Sequence, residues 1–389
     1  MRRSAAALLV AGLTALSACS SAPTASTSSS VGPSIAPSSN ASAAPSSPTP
    51  SHGVATLASG AVLPACTPGT PKASDTVTFV ASGYAWALSP SGTHLTCLFR
   101  VTNAGPFVWG PLGDRALLGG LAVRGAAGGP SLAASNRTFN AITWSRPTGK
   151  SIVYAPTAES SLKKVHLDGT PIQDVTPFSS STYLSVTYHP SGEAFAFAVE
   201  RSGGQSIWMS SNTGKAPIQL VFSEEGTVFG AIGFDVDGKH LLYAAQHADN
   251  HAELHRIDVT DTTQAPVVWA GPVDRMIMDI QPGLKSGTSA WTTGTTSCAD
   301  SIAMAQTSAG TVRVVPDVDR PTQAMGWLGA TQLLVATGGC GGPLDLSAVE
   351  ISSGSIVPLV SGVSAAAVRT QAPKPPARLP ASVPGSGFS

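Results

Sequence analysis

Histidines cluster once in this chain, at His247-Ala248-Asp249-Asn250-His251, with His255 shortly after. Imidazoles this close together could hold a metal ion if two or three imidazole or carboxylate groups converge on one point. The spacing matches no established zinc pattern, and no cysteine or glutamate partner stands out. The stretch therefore reads as a polar loop, and neither a metal nor another cofactor is expected. Asp235 and Asp237 with Gly238 imitate the start of a calcium loop. No acidic residue closes such a loop downstream, so they read as turn residues. Gly149-Lys150-Ser151 has the end of a phosphate loop, but Trp144 stands where its first glycine must be. No Gly-x-Ser-x-Gly nucleophile elbow occurs, and no pair of carboxylates suggests acid–base work. No catalytic residue is nominated.

The positions that carry these side chains follow a repeat. Six windows end at Leu88, Trp144, Tyr188, Phe234, Ile280 and Trp327, between 44 and 56 residues apart. Two positions earlier each window is again apolar: Trp86, Ile142, Val186, Ile232, Met278 and Met325. The residue between is small or polar: Ala87, Thr143, Thr187, Gly233, Asp279 and Gly326. Alternation of this kind is a strand, because successive side chains point to opposite faces. Asp279 is the single charge in its column and reads as making a structural hydrogen bond, with a place facing channel water as the alternative. A turn and a second strand follow each window, as in Pro190-Ser191-Gly192-Glu193 before Phe195-Ala196-Phe197, or Asp237-Gly238-Lys239 before Leu241-Leu242-Tyr243. Third strands are expected at 162–167, 206–210, 253–259, 301–306 and 346–351. Four strands per copy and six copies predict an all-β fold, a six-bladed β-propeller. A seventh blade around 107–124 is set aside, because Trp109 follows Leu88 by only 21 residues and a four-stranded blade takes roughly 40.

The turns are the specific part. Leu88-Ser-Pro-Ser-Gly92, Tyr188-His-Pro-Ser-Gly192 and Phe234-Asp-Val-Asp-Gly238 resemble the aromatic-x-Pro-Asp-Gly signature of TolB-type, WD40-like propeller repeats. The resemblance covers about residues 83 to 360 and implies a propeller that serves as a binding scaffold in the cell envelope. TolB carries an α/β domain before its propeller, for which residues 53–82 are too short. TolB is also a soluble periplasmic protein, whereas this chain begins with features of a lipid-anchored one.

Residues 1–18 read as a secretion signal: Arg2 and Arg3, then a short apolar core, then Leu16-Ser17-Ala18-Cys19. The core is shorter than the ~20 residues that span a bilayer. The last four residues resemble a bacterial lipoprotein lipobox, which implies an acyl chain on Cys19 and cleavage before it. Residues 19–52 are then a disordered Ser/Thr/Pro/Ala tether without charge, ~30 Å from end to end. Residues 53–82 form an irregular lead-in, 83–363 the propeller and 364–389 a disordered Pro-rich tail.

Of five cysteines, four remain once Cys19 carries lipid, and an exported domain would pair them. Cys298 and Cys340 both follow the second strand of their copies, 42 residues apart, so equivalent loops of neighbouring blades should bring them together. Cys66 is then left to join Cys97 and clamp the lead-in onto the first blade. Free buried thiols are the alternative.

Charged residues make up 11% of the chain and cancel to zero net charge. That argues against a nucleic-acid partner, which would need a Lys/Arg patch. The expected protein is a non-catalytic lipoprotein on the extracytoplasmic face of a cell membrane, binding an envelope protein or an extracellular ligand. The rival class is a propeller enzyme, a hydrolase, lyase or quinone-dependent dehydrogenase, acting outside the membrane. Binding is expected on the loops after the second strands, 155–161, 201–205 and 246–252, with no individual binding residue assigned.

Overall fold

The structure is a computed structural model that describes residues 54–101, 107–118, 122–126, 132–133, 139–202, 204–223, 226–295, 298–316, 318–339 and 342–369. Cys19, Cys340, the signal, the tether and residues 370–389 lie outside the described residues.

Among the described residues the strands form seven separate antiparallel sheets, the blades of a β-propeller. Blade two holds Phe107–Trp109, Arg115–Leu118, Ala122–Gly125 and Leu132–Ala133, and blade three Phe139–Trp144, Ser151–Pro156, Lys163–His166 and Gln173–Asp174. Blade four runs Thr182–Tyr188, Ala194–Arg201, Gly204–Ser211 and Ile218–Phe222, and blade five Val228–Phe234, His240–Gln246, His251–Asp258 and Val267–Val273. Blade six comprises Met276–Pro282, Ser289–Gly294, Ile302–Gln306 and Val312–Val314. Blade seven comprises Thr322–Trp327, Gln332–Thr337, Leu344–Glu350 and Ile356–Val363, with Thr56–Leu57 added outside. Blade one joins the two ends of the chain: Ala365–Val368 lies innermost, followed outward by Val77–Ala81, Tyr84–Leu88 and Leu95–Arg100.

The β-propeller expected from the repeat is present, but with seven blades instead of six. Tyr84–Leu88 is the third strand of its blade, not an innermost one. In an antiparallel sheet the first and third strands run the same way and end at the same face. Their turns therefore share one chemistry, and Ser89–Gly92 imitates a first-to-second-strand turn. The true innermost strands of blades one and two are Ala365–Val368 and Phe107–Trp109. The stretch from Phe107 to Leu118 is thus the start of its own blade, and the propeller extends past both expected boundaries, to Val77 and to Val368.

The core lies between blades, where a face of large side chains meets a face of small ones. Phe195, Phe197 and Val199 of blade four pack on Val153, Ala155 and Leu162 of blade three. The alternate residues Ala194, Ala196 and Ala198 receive Phe229, Phe234 and Tyr243 of blade five. Ala290, Ala303 and Ala305 of blade six likewise receive Trp327, Leu333 and Val335 of blade seven. The period of two places large residues on one face and alanines on the other, and both faces are buried because each sheet has a neighbour on either side. Each large side chain fully buried in this way contributes ~1.5–3 kcal/mol.

Closure rests on named contacts. Thr78 Oγ1 donates to Ala367 O at 2.7 Å and accepts from Trp109 Nε1 at 2.7 Å, joining the closing strand to blades one and two. Arg369 donates from Nε to Gly113 O at 2.7 Å and from Nη1 to Lys72 O at 3.0 Å, with its guanidinium 5.6 Å from the Trp109 ring centre. Cys66 is bonded to Cys97 on the outermost strand of blade one, with Cα atoms 5.5 Å apart. The Gly69 N–H donates to Cys97 O at 2.8 Å beside it. The lead-in is thus clamped to blade one as the spacing predicted.

Candidate functional site

The two faces of the disk differ. On one, the turn face, lie the connections from first to second and from third to fourth strands. On the other, the loop face, lie the connections from second to third strands and those between blades.

The turn face is a chain of contacts from blade to blade. His189 of blade four is fully buried, and its Nε2 lies 2.8 Å from the carbonyl of Gly238, the turn glycine of blade five. A carbonyl only accepts, so Nε2 carries the proton and Nδ1 accepts from Ser191 N at 3.1 Å. Burial holds this imidazole below its ordinary pKa. Asp235 occupies the same place in blade five. Its Oδ2 accepts from the N–H of Gly287, the turn glycine of blade six, at 3.0 Å, and from Arg256 Nη2 at 2.9 Å. In blade three a Cβ on Gly149 would sit 2.9 Å from Pro111 of blade two. In blade four a Cβ on Gly192 would overlap the carbonyl of Arg146 in blade three. The position after the aromatic residue therefore reaches the next blade's turn. Asp235 is a cross-blade acceptor, and Gly149 is held by packing rather than by any phosphate chemistry.

The loop face carries the histidines. His251, Glu253 and His255 alternate along the third strand of blade five, so all three side chains project from one side of the sheet. Opposite Glu253 stands Ala245, whose small side chain leaves room, and opposite His255 stands Tyr243. The Tyr243 and His255 rings stack at 4.9 Å and 5°. His247 folds over from the preceding turn and stacks on His251 at 4.4 Å and 11°. Three imidazoles surround one carboxylate: His255 Nε2 is 2.9 Å and His247 Nε2 3.1 Å from Glu253 Oε2, and His251 Nε2 is 3.5 Å from Oε1. Burial pushes the Glu253 carboxyl up, but the imidazoles of His255, His247 and His251 outweigh it and hold the group below the usual carboxylate range. The hydrogen bond to Asp249 pushes the His251 imidazole up.

Sequence reasoning named these histidines but placed them in a loop and saw no glutamate partner; the structure supplies Glu253. The signal was available. Read as a strand, His251-Ala-Glu253-Leu-His255 has period two, whereas the strand was expected to begin only at Glu253.

Asp279 lies on the innermost strand of blade six. Its Oδ1 accepts from the Ile280 N–H at 2.8 Å, and its Oδ2 accepts from the Gln281 side-chain amide. Desolvation pushes its carboxyl up further than these donors pull it down. Of the expected binding loops, 201–205 is mostly strand, since the strands reach Arg201 and resume at Gly204. Arg201 sits 4.2 Å over the Phe178 ring. Cys298 lies on a short 3-10 turn between the second and third strands of blade six. Residues 338–343 make the equivalent connection in blade seven, with Cys340 outside the described residues.

No family model and no curated protein matches this sequence. Solved structures do match in fold. A prolyl endopeptidase superposes with a TM-score of 0.53 at 11% identity, over 79% of this chain and 50% of that one. The tricorn protease gives 0.51 at 13% identity, over 82% of this chain and 35% of the other. TolB from Acinetobacter baumannii gives 0.48 at 14% identity, over 77% and 67%. This chain spans half the length of the prolyl endopeptidase and about a third of the tricorn chain. At these identities the likeness shows a β-propeller fold and nothing of activity.

Proposed function

We propose that this protein is a lipid-anchored, non-catalytic binding scaffold of the cell envelope that meets its partner with the loop face of the propeller. The observation that carries the reading is the asymmetry between the two faces. The turn face is occupied with blade-to-blade contacts through His189, Asp235 and the turn glycines. The loop face presents exposed polar residues from several blades, among them Thr157, Ser202 and Asp249. Rigid sheets holding variable loops are the usual way a scaffold presents a recognition surface. The lipobox-like Leu16-Ser17-Ala18-Cys19 and the uncharged stretch after it support an anchor and a tether. Several acyl chains would hold such a protein firmly, at ~0.8 kcal/mol per buried CH₂. No described helix is long and apolar enough to cross a membrane.

Cys19→Ser should move the protein from the membrane pellet to the soluble fraction, or leave the signal uncleaved. A variant that is processed normally and still pellets with membranes would refute the anchor.

A further inference from the structure

We infer that His247, Glu253 and His255 form a binding site for a divalent first-row transition ion, zinc above all. His255 Nδ1 lies 3.0 Å from Ala265 O. A carbonyl only accepts, so Nδ1 donates to it, and the ring is thereby fixed with Nε2 facing Glu253 Oε2, 2.9 Å away. His251 repeats the arrangement, because its Nδ1 is bonded to the Asp249 carboxylate and its Nε2 faces Glu253 Oε1 at 3.5 Å. A metal ion held by Nε2 of His247 and His255 and by Glu253 Oε2 would take the place of the protons at those contacts, while His251 stays on the other carboxylate oxygen.

The geometry suits a metal ion. The ligand atoms of His247, Glu253 and His255 all lie within 4.8 Å of one another. Their distances of 2.9 and 3.1 Å are close to the edge of a zinc tetrahedron, about 3.3 Å for bonds of about 2.0–2.1 Å. Two imidazoles and one carboxylate make a donor set for zinc, copper or nickel rather than for calcium or magnesium, which take oxygen ligands. The outer contacts match what a metal-binding histidine requires: the Nδ1 proton of His255 is committed to a carbonyl and its ring is fixed by stacking on Tyr243. The site rests on a strand rather than on a loop alone, since Glu253 and His255 both lie on His251–Asp258. His251 and Asp249 orient the other carboxylate oxygen. The second grouping of possible ligands, Asp235, Asp237 and His240, is already joined by Arg256, which lies 2.9 Å from both Asp235 and His240, and it serves as a control.

The site stands apart from the anchoring and the scaffold reading, and the test leaves both untouched. The full-length protein in detergent is freed of metal with a chelator and titrated with zinc chloride by calorimetry, with magnesium chloride as comparison. One zinc per chain should bind saturably at micromolar concentration or below and raise Tm by several degrees, while magnesium does neither. His255→Ala and Glu253→Gln should weaken zinc binding at least tenfold, while His240→Ala leaves it unchanged. Cobalt(II) on the unaltered protein supplies a readout that needs no variant: a tetrahedral site gives intense visible bands. Absence of saturable zinc binding, equal binding by the His247→Ala/His255→Ala double variant, or only the weak bands of octahedral cobalt would each overturn the assignment.

Discussion

A chain that ends at Ser364 is expected not to fold. Blade one would lose its innermost strand, leaving Val77–Ala81 with an unpaired edge in the centre of the disk. The same cut removes the Ala367 carbonyl that accepts from Thr78, and with it the three Arg369 bonds to Gly113, Lys72 and Asp75. Buried backbone groups left without partners cost about 1–3 kcal/mol each. Four pairings are lost between the closing strand and its neighbour, so the sum reaches the 5–15 kcal/mol that keeps a typical domain folded. The truncated protein should lack a cooperative melting transition. The same chain ending after Thr370 should melt close to the full-length protein. A cooperative transition within a few degrees of the full-length value in the shorter chain would show that the ring does not depend on this strand.

Gly192→Ala should be among the most damaging of the small substitutions on the turn face. Gly192 has φ of +81°, and a methyl group there would overlap the Arg146 carbonyl in the neighbouring blade. The backbone strain and the overlap together should cost about 2–4 kcal/mol, or roughly 5–10 °C in Tm. Gly354→Ala separates the two effects. That glycine has φ of +76° with open space around it, so only the backbone strain applies, about 1 kcal/mol. Equal losses at the two positions would mean that the turns do not interlock.

The parts of the fold that were legible are those where the alternation is backed by a large side chain. Trp144, Tyr188, Phe234, Ile280 and Trp327 were read as marking innermost strands, and each lies on one. Blades one and two were misread for a physical reason. The first takes its innermost strand from the far end of the chain, as Ala365-Ala-Ala-Val368, with neither an aromatic residue nor a motif turn to mark it. The second begins with only three residues, Phe107–Trp109, and its inner-strand tryptophan precedes Trp144 by 35 residues, a shorter interval than the other copies show. The pairing of Cys66 with Cys97 was deduced although the blade count was not. It rested on two later cysteines in equivalent connections, and that equivalence holds with six blades or seven. Glu253 went unseen because a glutamate two residues from a histidine is a partner in a strand and not in a loop. The contacts of His189 with Gly238 and of Asp235 with Gly287 join turns 49 and 52 residues apart, and no local pattern encodes such a distance.

The proposed scaffold is tested most directly by asking which face meets the partner in the cell. A photo-crosslinking residue is placed singly at Thr157, Ser202 or Asp249 on the loop face, and at Ser91, Lys150 or Ser353 on the turn face, all six being exposed. The anchored protein is irradiated in living cells, and adducts are identified by mass spectrometry. The same adduct should form from at least two loop-face positions and from none on the turn face. Adducts that form only from the turn face, or from neither face, would contradict the account.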